Sequence, residues 1–252
     1  MIEILILSII QGVTEFLPVS SSSHLVVVSN FFNFNNQNLS IDVSLHIGSF
    51  FAVLYYFKKE ILDLTKNKKT FLKIIVSSLP VMLVGYILIK LSLIDYIRSI
   101  KIIGWTTIIF GILLYLSDRF ESHNEINVNF NYKSAFFIGF LQVISLIPGV
   151  SRSGITITAA RFLKFNRVDS AKISFYLSIP TLGAVSFYGI NNLIRSESLE
   201  FSMTNLFSIF FSFIFSLITI KYFLKYIKKF SLNIFIIYRV LLGLVLLLIT
   251  YL

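Results

Sequence analysis

The chain has 252 residues, 56% of them hydrophobic and only 13% charged, about half the charged share of an ordinary soluble domain. So much apolar surface excludes a disordered segment, and the absence of cysteine excludes a disulfide scaffold. A formal net charge of +10 would point to a polyanion if the basic residues shared a face. They sit instead in short loops between apolar runs, a membrane-topology pattern that argues against nucleic acid as a partner.

Taken in chain order, residues 2–13 and 24–32 are short apolar runs around a polar centre, Glu15-Phe-Leu-Pro-Val-Ser20-Ser21-Ser22-Ser23-His24. The first run is not a secretory signal, because Glu3 replaces a basic start and no small-residue cleavage site follows. Runs at 42–58, 71–90 and 102–117, and later at 173–190, 204–222 and 234–251, approach the roughly 20 apolar residues of a spanning helix. Between these triplets, 134–147 and 154–163 flank a second polar centre, Pro148-Gly149-Val150-Ser151-Arg152-Ser153-Gly154.

The flanks of both polar centres are too short to span, and Pro and Gly break helices unless the freed backbone groups find partners. The expected fold is all-α: a polytopic membrane protein with six transmembrane helices plus two re-entrant helical hairpins. It forms a single integral-membrane domain over residues 1–252.

Loop charges orient this arrangement. The loops 58–73, 118–133, 161–172 and 221–230 fall on one side by alternation and hold sixteen Lys and Arg; the opposite side holds four, Lys90, Arg98, Lys101 and Arg195. The Lys-rich side is therefore expected to be cytoplasmic, with both termini outside.

The chain also resembles itself. Gln11 matches Gln142 and Val19-Ser-Ser-Ser22 matches Val150-Ser-Arg-Ser153 at an offset of 131, while Pro18 matches Pro148 at 130 and Gly111 matches Gly243 at 132. The repeats run over approximately 1–125 and 126–252. Three crossings per repeat reverse the chain, so the second must be inverted relative to the first, with the hairpin tips meeting at mid-membrane. This is also a transporter architecture, and a transporter or flippase for a phosphorylated lipid or anion is the rival reading.

Glu15 and Arg152 are ionisable groups in apolar surroundings, costly enough to mark a functional site. Gln11 and Glu15 share a helix face at i,i+4. Ser20, Ser21 and Ser22, like Ser151 and Ser153, fall at helix starts, where free N–H groups and the dipole favour an anion; Arg152 adds a guanidinium that grips phosphate. Phosphate is the ligand that best fits these donors. Glu15 with the Gln11 amide suits a hard divalent ion held jointly with phosphate oxygens. A purely structural Glu15–Arg152 ion pair is the bland alternative. Arg239 reads as a structural residue that snorkels to the inner loop. His46, early in a span, reads equally as a helix–helix hydrogen-bond partner or a site residue.

At these residues the sequence resembles the bacterial undecaprenyl-pyrophosphate phosphatase family, of the bacitracin-resistance type. The first family motif is matched from Gln11 to His24 and the second, Pro-Gly-x-Ser-Arg-Ser-x-x-Thr, from Pro148 to Thr156. Many members have Glu where this chain has Gln11, and Ser23 replaces a common Gly. The resemblance implies an enzyme that hydrolyses undecaprenyl pyrophosphate to undecaprenyl phosphate and inorganic phosphate, recycling the carrier of peptidoglycan synthesis. It also implies a divalent-cation requirement (magnesium, with calcium or manganese as alternatives). A bacterial plasma-membrane location, an active site open to the outer face and bacitracin competing for the lipid follow from it too; the sequence leaves the oligomeric state open, a homodimer being one option. On this reading Glu15, Ser21, His24 and Arg152 are catalytic. Ser20, Ser22, Ser151, Ser153 and Thr156 bind phosphate, and Gln11 and Glu15 hold the metal. Ser21 is the candidate nucleophile with His24 as its base; attack by His24 itself, or by water activated by Glu15, stays open.

Overall fold

The computed structural model describes residues 1–32, 39–66, 68–91, 93, 99–195 and 203–252. Arg98 and the side chains of Lys66 and Arg195 lie outside the described residues. In chain order come α1 (Ile2–Thr14), α2 (Ser21–Phe32), α3 (Leu39–Tyr56), α4 (Lys58–Lys66), α5 (Lys68–Lys90) and α6 (Ile100–Asp118). Then follow α7 (Ile126–Asn129), α8 (Tyr132–Gln142, tightening into a 3-10 turn over Val143–Leu146), α9 (Arg152–Phe162), α10 (Arg167–Arg195), α11 (Met203–Ile227) and α12 (Asn233–Tyr251). Among the described residues the only β pairing is one isolated bridge, Asn124 to Phe165.

Among the described residues six helices are long and apolar enough to cross a bilayer: α3, α5, α6, the Arg167–Asn192 part of α10, α11 and α12. They coincide with the six runs read from sequence. The largest difference is α10, which starts at Arg167 rather than near 173. Its start is fixed by polar residues that hydropathy ignores. Asn166 accepts the Asp169 backbone N–H at 2.9 Å, capping the first turn, and its amide donates to the Asp169 carboxylate at 2.9 Å.

Helix pairs are joined by small residues, because hydrocarbon gives apolar surfaces little reason to leave lipid for each other. Between α3 and α11, Ser212 donates to the Leu45 carbonyl at 2.7 Å, and Ser49 bonds Ser212 and Ser216 at 3.1 and 3.0 Å. Between α5 and α8, Ser77 donates to the Ala135 carbonyl at 2.6 Å. A Cβ on Gly139 there would lie 2.1 Å from the Ser77 carbonyl oxygen, so only glycine permits that approach. At one end of the bundle, Asp118 accepts Arg167 at 2.7 and 2.9 Å and the Leu232 N–H at 3.2 Å, tying α6 to the starts of α10 and α12.

The helices α1 and α2 are separated by a break, as are α8 and α9, at the two polar centres. Ser20 (φ +77°) and Ser151 (φ +71°) sit in these breaks. Only one other non-glycine among the described residues, Lys164, shares this left-handed backbone, which is costly for a residue with a Cβ. Ser20 and Ser151 stand 131 positions apart, the main offset of the sequence repeat.

Candidate functional site

In the first break, the helical spacing of α1 brings the Gln11 amide onto the Glu15 carboxylate, Nε2 donating to Oε2 at 3.1 Å. Phe16 turns the other way and is anchored edge-on against Phe175, with ring centroids 5.4 Å apart. After Pro18 and Ser20, α2 opens with Ser21, whose hydroxyl donates to the same Glu15 Oε2 at 2.6 Å. In the second break, Ser151 caps α9 by accepting the Gly154 N–H at 3.1 Å. Arg152 then projects from the first turn of α9.

The two breaks bind each other. Arg152 Nη2 lies 3.0 Å from Glu15 Oε1, with both side chains largely buried, and its Nη1 donates to the Ser174 carbonyl at 3.0 Å. Ser153 donates to the Leu17 carbonyl at 2.6 Å. Arg239 of α12 clamps both: Nη1 donates to Pro18 O at 3.1 Å, and Nη2 to Gly149 O and Val150 O at 2.9 and 3.0 Å. Its Nε donates to Thr107 O at 3.2 Å. Arg239 is 0% exposed, which corrects the expectation that it snorkels: a break strands carbonyls in an apolar interior, and Arg239 supplies donors to them.

A cavity of about 210 Å³ opens beside the ion pair. Glu15, Ser20, Ser21, Ser22, Ser151 and Arg152 line it, together with His46, Gln142, Ser145 and Thr181. Six of the sequence-derived candidates thus share one cavity.

Four other candidates do not line this cavity. Ser153 is spent on Leu17, and the Thr156 hydroxyl bonds Ser174 at 2.7 Å inside the packing. Gln11 lies behind Glu15. His24 faces away: Nδ1 meets the Ser20 carbonyl at 2.7 Å and Nε2 meets the Tyr238 hydroxyl at 2.5 Å, with the two rings stacked. A carbonyl only accepts, so Nδ1 carries the proton and, in the neutral ring, Nε2 accepts from Tyr238. The expected Ser21–His24 contact is therefore corrected: Ser21 is partnered by Glu15, while His24 is held by α12. Ser153 and Thr156, expected to contact phosphate, have hydroxyls that fasten the fold in this structure.

His46, whose Nδ1 meets the Asp42 carbonyl at 2.8 Å, belongs to the cavity and not to a neighbouring helix. Gln142 and Ser145 were missed, although Gln142 carried a signal as the repeat counterpart of Gln11. Nothing in the sequence marked Ser145 out from serines that pack helices.

For a divalent ion, the donor set is one carboxylate with the Gln11 carbonyl oxygen, which is buried without a partner. Among the described residues no three His, Cys, Asp or Glu side chains cluster as a self-sufficient metal cage. Such a set fits a hard ion held mainly by phosphate oxygens and water, with one carboxylate as anchor.

The family profile described as "Bacitracin resistance protein BacA" matches residues 4–245. A protein of Pelagibacter ubique (strain HTCC1062) named undecaprenyl-diphosphatase is 49% identical over 251 residues, covering 99% of this chain and 98% of the relative. A protein of Jannaschia sp. (strain CCS1) with the same name is 34% identical, covering 98% and 97% of the two chains. Undecaprenyl-diphosphatase 1 of Pseudoalteromonas translucida (strain TAC 125) is 37% identical, covering 96% of each.

Proposed function

We infer that this chain, which belongs to the bacitracin resistance protein BacA family, is a membrane-embedded hydrolase that converts undecaprenyl diphosphate to undecaprenyl phosphate and inorganic phosphate, as its relatives' names describe. The observation that carries this reading is the contact between Ser21, Glu15 and Arg152 at a cavity lined with further hydroxyls. Transport needs no nucleophile beside a base, and the relatives are named for hydrolysis.

The polyprenyl tail would lie in the bilayer while the diphosphate enters the cavity. Arg152 neutralises charge on the terminal phosphoryl group, a positioning and electrostatic role that dominates phosphoryl transfer. It is held in place by Glu15 and the Ser174 carbonyl, so little reorganisation is needed. Ser21 Oγ attacks the terminal phosphorus, its proton passing to Glu15 Oε2, and the bond to the bridging oxygen breaks so that undecaprenyl phosphate leaves. Water then attacks the phosphoserine while Glu15 returns its proton to Ser21 Oγ, giving dihydrogen phosphate and restoring both side chains. Ser20, Ser22 and Ser151 donate to the phosphoryl oxygens. Glu15, backed by Gln11, would anchor a divalent cation such as magnesium, which would supply further neutralisation of the diphosphate. His24 stiffens the start of α2 through Ser20 and Tyr238.

The sixteen-to-four charge asymmetry of the loops supports a cytoplasmic Lys-rich side with both termini outside. The two breaks would then be the tips of re-entrant hairpins entering from opposite faces, related as halves of an inverted repeat. The lipid would be taken from the outer leaflet of the bacterial plasma membrane, where bacitracin competes for it. The test is phosphate release from undecaprenyl diphosphate by purified protein in detergent with magnesium, with the Glu15→Gln and Arg152→Ala variants alongside. Hydrolysis by the unaltered protein and its loss in both variants is the expected result. Equal rates in all three would reject the site.

A further inference from the structure

Gln142 is 0% exposed, yet neither its Nε2 nor its Oε1 has a hydrogen-bond partner. Among the described residues it is the only side chain with two such orphaned atoms. Leaving a buried amide unpaired is unfavourable, and native proteins do so rarely. It lines the same cavity as Glu15, Ser21 and Arg152, so the residue with the unpaired amide borders the space the phosphate-binding groups border.

The internal repeat sharpens the contrast. In the first half, Gln11 is followed four residues on by Glu15, and its amide is spent on that carboxylate. In the second half, Gln142 is followed four residues on by Leu146. The counterpart amide thus has no carboxylate to hold, and the helix tightens into a 3-10 turn directly after it. An apolar residue of similar size would satisfy the packing better.

We propose that Gln142 is a further substrate-binding residue, whose amide N–H groups donate to phosphoryl oxygens of the diphosphate in the cavity that Arg152 also lines. This rests on the diphosphatase reading of the cavity. Ionised phosphoryl oxygens only accept, and each can take more than one hydrogen bond, so a diphosphate can accept more of them than Arg152 and the serines alone donate. The neutral amide offers two donors without adding a charge to the membrane interior. Its Oε1 is left to accept from water carried in with the ligand.

Stability and ligand affinity move in opposite directions under this proposal. Gln142→Leu removes an unpaired amide, so its unfolding temperature in detergent should equal or exceed that of the unaltered protein. The stabilisation of that variant by inorganic diphosphate with magnesium should weaken, corresponding to a loss of about 10- to 100-fold in affinity, the worth of one hydrogen bond to a charged group. KM for undecaprenyl diphosphate should rise alongside. Gln142→Glu, which sets a carboxylate against the phosphate, should lose more. Gln142→Met serves in the same measurements if the Leu side chain proves too bulky to fold. Unchanged diphosphate affinity and KM in a folded Leu or Met variant, whatever its unfolding temperature, would overturn the proposal. If the unaltered protein binds inorganic diphosphate but releases no phosphate from the lipid, the diphosphatase reading fails while the Gln142 contact is still decided by the binding shift.

Discussion

Arg152 Nη2 and Glu15 Oε1 are 3.0 Å apart although 137 positions separate the residues in the chain. The pair joins the two breaks and stands on the wall of the cavity, so a single contact is both a strut and a charge centre. Each partner keeps the other from being a lone charge in apolar surroundings. Removing one partner of a buried pair costs about 3–5 kcal/mol, much of it from the charge left behind.

Arg152→Ala should lower phosphate release by about 100- to 1000-fold, the usual loss for one preorganised charge-stabilising donor. Arg152→Lys keeps the charge but loses the fork that reaches both Glu15 and Ser174, and should recover only part of the rate. Steady-state phosphate release, compared at equal amounts of monodisperse protein, checks both. A variant that folds and works at the original rate would show the pair to be purely structural.

Ser21→Ala should reduce turnover more than His24→Gln, because Ser21 touches the carboxylate and His24 does not. Tyr238→Phe deletes a hydrogen bond to His24 and should cost about tenfold or less. Rapid quenching with 32P-labelled lipid diphosphate, followed by peptide mapping, should find label on Ser21. Label on His24 would mean that its ring leaves Tyr238 during the reaction.

Arg239→Met removes the side-chain donor from the carbonyls of Pro18 and Val150 and one of two from Gly149, which Thr107 Oγ1 also reaches at 3.5 Å. At about 1–3 kcal/mol for each unsatisfied buried group, this should be among the most destabilising single changes in the chain. Arg239→Lys, with three donors on one point, should be intermediate. Thermal unfolding in detergent measures the order.

Gly149→Ala should destabilise the second break. Its φ of +93° strains any L side chain, and the added Cβ would meet Thr106 Oγ1 at 2.0 Å, an oxygen already fixed by donating to Pro148 O at 2.6 Å. Gly85→Ala is the control: its Cβ would come no nearer than 3.4 Å to Leu146. Mid-helix alanine is favoured there by about 1 kcal/mol. Unfolding temperatures should fall for the first and hold or rise for the second.

Chelation of divalent cations should abolish phosphate release, and added magnesium should restore it, with circular dichroism unchanged throughout. The fold is held by helix packing and by Arg239 and Asp118, so the ion is expected to serve the diphosphate and not the scaffold. Turnover that persists in excess chelator would remove the cation from the mechanism.

The spans were legible because length and hydropathy alone decide whether a helix can cross a bilayer. The two polar centres were legible because Glu15 and Arg152 are too costly in apolar runs to be incidental. Local chemistry also announced the helix starts at Ser21 and Arg152, and the i,i+4 spacing announced the Gln11–Glu15 contact. Side-chain partnership was a different matter. His24 looked like the base for Ser21 by spacing, yet α12 brings Tyr238 against its ring from 214 positions away. Arg239 looked able to reach the loop, yet it faces inward because the carbonyls of both breaks need donors. Ser153 and Thr156 stood inside the motif, but packing turned their hydroxyls onto Leu17 and Ser174. Gln142 stood outside it and was turned into the cavity. Residue chemistry along the chain sets which positions are polar within the membrane and where the helices break. Which of those polar groups satisfy one another, and which line the cavity, depends on helices that meet across the whole length of the chain.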